Sequence, residues 1–325
     1  MTFPPGLQQA VAGWLERQNA GAERRAQSAA LSATYRQGGS SRSIDLGAYL
    51  VARLPATFAA VSRVLAELQQ LRPDLAPASL LDVGSGPGTA SWAAAGCWPG
   101  LQHVTFLDNS PGFLELATEL AGHGSAPLRD SQAIRASFEA LPDGLSADLV
   151  IAAYALAEIP VAKAAAAATG LWRASRSALV LVEPGTPQGF ARIRAARVAL
   201  LDQGAVPVAP CTHALACPIA GDDWCHFSIR LARSRAHMHA KGARVPFEDE
   251  RFSYLVLARD GEPSRGARIL SPPVHGKPGT ALRLCTQGSI EPRHIARRDA
   301  AAYKLVKKMG WGDLIHPQSD EEKAP

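Results

Sequence analysis

"LLDVGSGPGTAS", Leu80 to Ser91, decides how the rest of the chain is read. A short apolar run ends at an acid, Asp82. Three glycines then follow at alternate positions, Gly84, Gly86 and Gly88, before residues that suit a helix start. A glycine has no Cβ, so a backbone built this way turns sharply and lies close against a ligand. The spacing is G-x-G-x-G rather than the G-x-G-x-x-G of nicotinamide enzymes. About 20 residues on, "HVTFLDNS" ends a second apolar run at Asp108, where an acid can accept both hydroxyls of a nucleoside ribose.

Outward from the loop, "SLLDVG", "HVTFLD", "AIRASF", "ADLVIAAY" and "ALVLVEP" read as five buried strands. Helical stretches lie between them at Thr89–Ala95, Gly112–Leu120 and Val161–Arg173. Such alternation predicts a parallel sheet with helices on both faces. "FSYLVLAR" (Phe252–Arg259) and "ALRLCT" (Ala281–Thr286) are read as two later strands of the same sheet. Upstream, residues 7–70 carry helical periodicity, broken by the polar "LSATYRQGGSSRS" and closed by the proline-bearing "RPDLAPAS". The parsing is an N-terminal helical region (1–75), a Rossmann-like core (76–190), an insertion with its own helix, Phe190–Leu201 (191–250), the last two sheet strands (251–292) and a basic, partly helical tail (293–325) that ends in the disorder-prone "SDEEKAP".

The 325 residues are 47% hydrophobic and 19% charged, an ordinary globular balance with enough chain for a sizeable core. No apolar run reaches the roughly 18 residues of a membrane span. The N-terminal stretch lacks the apolar centre of a signal peptide and contains Glu16 and Glu23, against the acid-poor pattern of a mitochondrial presequence. A cytosolic location is the expectation. Net charge is +5, but residues 226–325 hold 18 Lys/Arg against 11 Asp/Glu, so the basic excess sits in the last third. Arg230–Arg244 and Arg293–Lys308 are its dense segments. Each reads either as a solvated face or as a contact for an anionic partner.

Three of the five cysteines, Cys211, Cys217 and Cys225, fall in "VAPCTHALACPIAGDDWCHF" (Val208–Phe227). In a reducing compartment such a cluster suggests metal ligands before disulfides. Cys285, at the end of the last expected strand, is the candidate fourth; His213 or His226 can replace a cysteine in a zinc site. Trp224 and Phe227 would shield either kind of site. The spacing fits neither a zinc ribbon nor a ferredoxin, so zinc, iron–sulfur and unconnected core cysteines all remain open. Cys97 reads as an ordinary small buried residue.

The acid, the glycine loop and Asp108 resemble the class I S-adenosylmethionine-dependent methyltransferases over residues 79–185. That resemblance implies a seven-stranded Rossmann-like sheet with the cysteine-rich insertion before its sixth strand. It also implies cofactor contacts from Asp82, Gly84, Ser85, Gly86, Gly88 and Asp108. No catalytic residue is assigned: "AAYALAEIP" lacks the motif of exocyclic-amine methylases, and no cysteine stands at the end of the fourth or fifth strand. Tyr154, Glu158 and Glu183 are the polar groups there, Glu183 a possible substrate contact or a structural acid. Methyl transfer can run on proximity alone.

Across nearly the whole chain, "LSATYR", "LLDVGSGPGTASWA", "VEPGTPQGF", "APCTHALACP…WCHFS", "FSYLVLAR" and "YKLVKKMGWGDLI" resemble the Rsm-type, methyltransferase-like family of the small ribosomal subunit. The resemblance implies contact with small-subunit ribosomal RNA, a role in its methylation or in subunit assembly and translation, and a four-iron, four-sulfur cluster on Cys211, Cys217, Cys225 and Cys285. Without a presequence, the expected member is bacterial and cytoplasmic. The other reading is a small-molecule methyltransferase with a structural zinc. Oligomeric state and methyl acceptor are not legible.

Overall fold

A computed structural model describes residues 3–18, 45–233, 238 and 244–316. Among these, a mixed sheet of eight strands has the order β3-β2-β1-β4-β5-β8-β6, with β7 added against β8. Its parallel half consists of β1 (Ser79–Val83), β2 (His103–Asp108), β3 (Gln132–Arg135), β4 (Ala147–Ala153) and β5 (Ser175–Pro184). Leu80 stands beside Val104 on one side and Leu149 on the other, and Val180 lies between Ile151 and Val256. Asp148 clasps β4 to the start of β1: one of its oxygens accepts the N–H groups of Ala78 and Ser79 and the Ser79 hydroxyl.

Successive residues of the central strands enter opposite cores, as the two-residue period requires. Leu80 and Val180 join a core under α3 (Leu54–Leu71), α4 (Thr89–Cys97) and α5 (Pro111–Ala121). α1 (Pro5–Arg17) packs on the same side, and α2 (Leu46–Ala52) leads into α3. Leu81 and Leu181 join the other core, under α7 (Ala164–Ala174) and α8 (Pro187–Leu201). The single turn α6 (Ala126–Arg129) precedes β3. Both faces are therefore covered, which is why these strands read as continuous apolar runs.

Strand order and the antiparallel eighth strand make this the class I methyltransferase architecture, Rossmann-like as expected, but details of the expected layout change. A further strand, β6 (Val206–Ala209), is the sixth in chain order and pairs with β8 (Phe247–Ala258). The cysteine stretch therefore follows the sixth strand rather than preceding it. Four residues with a central proline carry too little alternation to be read in advance. The sheet has eight strands, not seven, because β7 (Phe227–Ala232) forms a hairpin with an extended β8.

Ala281–Thr286 does not join the main sheet. It lies in β11 (Gly279–Cys285), within a second, antiparallel sheet ordered β10-β11-β9-β13, with β12 beside β11. The partners are β9 (Ala267–Ile269), β10 (Val274–His275), β12 (Ile290–Ala296) and β13 (Leu314–Ile315). Ile269, Leu282 and Leu284 form its small core with Val306 of α9 (Ala300–Val306). The stretch expected as a tail thus closes a second sheet. The polar break at 31–43 and the final "SDEEKAP" lie outside the described residues. Among the described residues no single helix is long and apolar enough to cross a membrane; α2 and α3 pass such a test only as a bent pair, and both are largely buried here.

Candidate functional site

The glycine loop is fastened at its first residues. The N–H groups of Gly84 and Ser85 both donate to the Leu107 carbonyl, at 2.7 and 3.1 Å. All three glycines have positive φ, and a Cβ at Gly84 would stand 2.7 Å from that of Ala155. Asp82 is buried and turns back on α4, accepting the Ser91 N–H at 3.0 Å and the Ser91 hydroxyl at 2.8 Å. Burial pushes its carboxyl up to about 7 despite those bonds. Asp108 accepts the Gly86 N–H at 2.9 Å on one oxygen and the Ser110 N–H at 2.8 Å on the other. The Asn109 amide also favours its charge, and with about four acceptor sites on two oxygens the carboxylate still keeps accepting capacity. The space beside Gly86 is bounded by Tyr49 of α2, whose hydroxyl lies 3.5 Å from where a Cβ would be. Asp82 is thus a structural anchor for the loop, while Asp108 both shapes the loop and keeps accepting capacity.

The ends of β4 and β5 hold groups already engaged in the fold. Tyr154 has φ of 62°, the one non-glycine residue with positive φ among those described. Its hydroxyl donates to Glu250 at 2.8 Å, and Arg53 pairs with the same oxygen at 3.2 Å. Burial and then Glu250 push the phenol well above its ordinary value, so Tyr154 stays protonated and acts as a donor. Glu183 is fully buried, which excludes the substrate contact considered for it. Neither carboxylate oxygen makes a well-formed hydrogen bond, although the Leu156 and Ala157 amides lie near enough to favour its charge. Burial prevails and pushes its carboxyl up to about 8.

The second feature lies between α8, the main sheet and the second sheet. Cys211, Cys217, Cys225 and Cys285 all line one cavity of about 40 Å³, together with Arg197 and Arg268. The first three come from the segment after β6; Cys285 ends β11, on the face opposite Leu282 and Leu284. Among the described residues no group of three or more His, Cys, Asp or Glu side chains is arranged to hold a single metal ion. A tetrahedral zinc would draw four sulfurs to about 3.8 Å of one another, given bonds of about 2.3 Å. All four cysteines border the same small cavity. Burial pushes the thiols of Cys211 and Cys225 up, and that of Cys285 to about 12.

Arg197 of α8 donates from Nε to the Cys211 sulfur at 3.3 Å and from Nη2 to the carbonyls of His213 and Leu215 at 2.8 and 2.7 Å. Arg268 of β9 is 2% exposed. It donates to the carbonyls of Pro210 and Gly312 at 2.9 and 2.7 Å and pairs with Glu67 of α3; its Nη2 has no partner. Tyr254 also donates to Glu67, at 2.7 Å. The donor set is soft, enclosed and flanked by cations, which fits an anionic metal–thiolate group. His213 stands with Nε2 3.8 Å from the Cys285 sulfur, and its Nδ1 is buried without a partner. Trp224 stacks on His226, which meets Trp311 edge-on, and Trp224 packs beside Cys217, Cys225 and Cys285. Cys97 sits apart on α4. Neither arginine was legible as part of a site, since an arginine on a predicted helix or strand reads like a surface charge.

The basic segments are partly neutralised within the fold. Arg230 pairs with Asp249 at 2.7 Å, and Arg233 with Glu248 at 2.9 Å; most of Arg235–Arg244 lies outside the described residues. Arg293, Arg297, Arg298, Lys304, Lys307 and Lys308 are exposed on the second sheet and its helix.

Residues 43–316 match the family described as "Mitochondrial small ribosomal subunit Rsm22". The human mitochondrial ribosome assembly protein METTL17 is 32% identical over 286 residues, covering 82% of this chain and 61% of its own. A fission-yeast protein, Rsm22-cox11 tandem protein 2, mitochondrial, of Schizosaccharomyces pombe, is 25% identical, covering 82% of this chain and 42% of its own. The chain thus spans about half the length of these relatives. Among solved structures, the magnesium protoporphyrin IX methyltransferase of Synechocystis with bound S-adenosylmethionine aligns at a TM-score of 0.43 and 18% identity, over 71% of this chain and 91% of its own. The matches correct one expectation: the family and both relatives are mitochondrial, so a bacterial cytoplasmic location does not stand.

Proposed function

The chain belongs to the Rsm22 family, and on that premise we propose that it is a methyltransferase-fold protein acting with the small ribosomal subunit in its assembly, bearing S-adenosylmethionine at the glycine loop and a four-cysteine iron–sulfur cluster between its two sheets. The observation that carries the reading is the convergence of Cys211, Cys217, Cys225 and Cys285 on one cavity from segments 60 residues apart in the chain. Four cysteine sulfurs on one enclosed cavity supply the soft donor set that an iron–sulfur cluster takes.

At the loop, Gly84, Ser85, Gly86, Gly88 and Asp108 would hold the cofactor, which supplies a transferable methyl group when bound, while Asp82 anchors the loop from behind. Asp108 offers its remaining lone pairs to ribose hydroxyls, and the absent Cβ atoms allow close backbone approach. At the ends of β4 and β5, Tyr154 is a donor locked to Glu250 and Glu183 is sealed from solvent, so neither serves as a base. This favours a binding and assembly role over chemistry that needs proton abstraction. The exposed cations of the second sheet and α9 are the proposed contact for ribosomal RNA, since phosphate contacts need accessible cations more than a motif.

Anaerobic purification with iron, sulfide and zinc analysis tests the cluster. Four irons per chain with broad absorbance near roughly 400 nm are expected; stoichiometric zinc without iron overturns it and favours the small-molecule methyltransferase reading. Isothermal titration with S-adenosylmethionine should show binding that Asp108→Ala abolishes. Co-sedimentation with small ribosomal subunits should weaken when Lys304, Lys307 and Lys308 are changed to glutamine.

A further inference from the structure

The cysteine cavity carries more buried positive charge than its partners account for. Arg197 is 3% exposed and, among the described residues, forms no ion pair with a carboxylate; only carbonyls and the Cys211 sulfur face it. Arg268 is more buried still, shares the Glu67 carboxylate with Arg63, and leaves Nη2 without a partner. A buried guanidinium without an anion is costly, and so is a buried N–H without an acceptor. Both side chains are fixed by carbonyls of the cysteine-bearing segment itself, from Pro210, His213 and Leu215. They are held in place by the very loop that supplies three of the thiols.

We propose that Arg197 and Arg268 are built-in counter-ions of an anionic metal–thiolate group, setting its reduction potential through their charge and through N–H···S bonds. The inference rests on the cluster reading above and adds two residues that no ligand count would include. A cation beside such a group favours the reduced, more negative form, so its removal makes the group harder to reduce. Arg268 also connects the cavity to α3 through Glu67, so the site is anchored to the main core as well as to the loop.

The test is an anaerobic dithionite titration of wild type, Arg197→Gln and Arg197→Lys, followed by visible absorption and electron paramagnetic resonance. Arg197→Gln should lower the midpoint potential by at least one decade in the reduction equilibrium, about 59 mV for a one-electron couple. Arg197→Lys, which keeps the charge, should recover most of that shift. The paired variant Glu67→Gln with Arg268→Gln removes both charges of that pair together, and it should lose iron to a chelator several-fold faster than wild type. A merely structural role would leave the midpoint unmoved in any variant that still holds iron. Iron-loaded wild type with Arg197→Gln at the same potential overturns the inference; wild type without iron overturns the cluster reading instead. Should Arg197→Gln not accumulate, the paired variant decides alone, and chelation at the wild-type rate overturns the role of Arg268.

Discussion

Substitution of Gly84 by alanine probes how tightly the glycine loop is bound into the fold. Two costs add. An L-residue at a φ of 62° costs about 1–2 kcal/mol in backbone strain. The new methyl would meet the Ala155 Cβ at 2.7 Å, a distance that real Cβ atoms do not tolerate. Relief of that overlap costs about 1–3 kcal/mol more. The sum is about 2–5 kcal/mol. Gly144 supplies the control: its φ is 75°, but nothing lies within 4 Å of its Cβ position, so Gly144→Ala should cost the strain alone. A second control is compensatory. Ala155→Gly removes the methyl that Gly84→Ala strikes, so the double variant should be about 1–3 kcal/mol more stable than the two single costs predict. Urea titration followed by circular dichroism, with slopes compared to confirm a common unfolding transition, measures all four variants against the wild type. If Gly84→Ala costs no more than Gly144→Ala, or if the double variant is additive, the loop is not packed on Ala155.

Glu183→Gln addresses the sealed acid. A carboxyl raised to about 8 when folded binds its proton more tightly than in the unfolded chain. Its contribution is therefore complete below about pH 4.5 and fades as pH rises to about 8. The glutamine variant should flatten that decline between pH 5 and 8, with Asp82 preserving part of it; an unchanged slope would contradict the burial of Glu183 as described. Asp148→Ala should cost about 2–3 kcal/mol, since it strips an acceptor from two N–H groups and a hydroxyl at the β1–β4 seam. A midpoint shift equivalent to less than half a kcal/mol would show that the seam does not depend on it. Tyr154→Phe should cost about 1–2 kcal/mol by removing a buried hydrogen bond from Glu250, which keeps Arg53, and thermal melts will show it.

The parallel half of the main sheet was legible because its strands are buried on both faces. Leu80, Leu81, Val150, Val180 and Leu181 must all be apolar, and the glycine loop punctuates the run. The edge was less so. Val206–Ala209 is four residues long with a proline inside it, and its pairing depends on residues 256–258 of β8, far along the chain. β11 reads as a strand from the alternation of Leu282 and Leu284, but alternation says nothing about which sheet a strand joins. Short pieces such as Val274–His275 and Leu314–Ile315 have no period to detect. The cysteines could be listed from sequence because few residue types do their work. Arg197 and Arg268 could not, since their roles arise only when α8 and β9 meet around the same space. Tyr154 likewise looks like an ordinary aromatic until its φ and its tie to Glu250 are known.

The placement of Cys285 on a strand of the second sheet, while the other three cysteines lie in the segment between β6 and β7, also has a meaning in polymer terms. Between Cys225 and Cys285 the chain runs out along the β8 hairpin strand and through most of the second sheet before it returns. A group bound by all four would act as a covalent-strength crosslink closing a loop of 60 residues. By the chain-entropy account of crosslinks, closure of a loop that long removes about 4 kcal/mol of freedom from the unfolded ensemble. The second sheet, with its core of only a handful of side chains, would gain most from that restraint, so the state of the cysteines would govern whether that sheet is assembled at all.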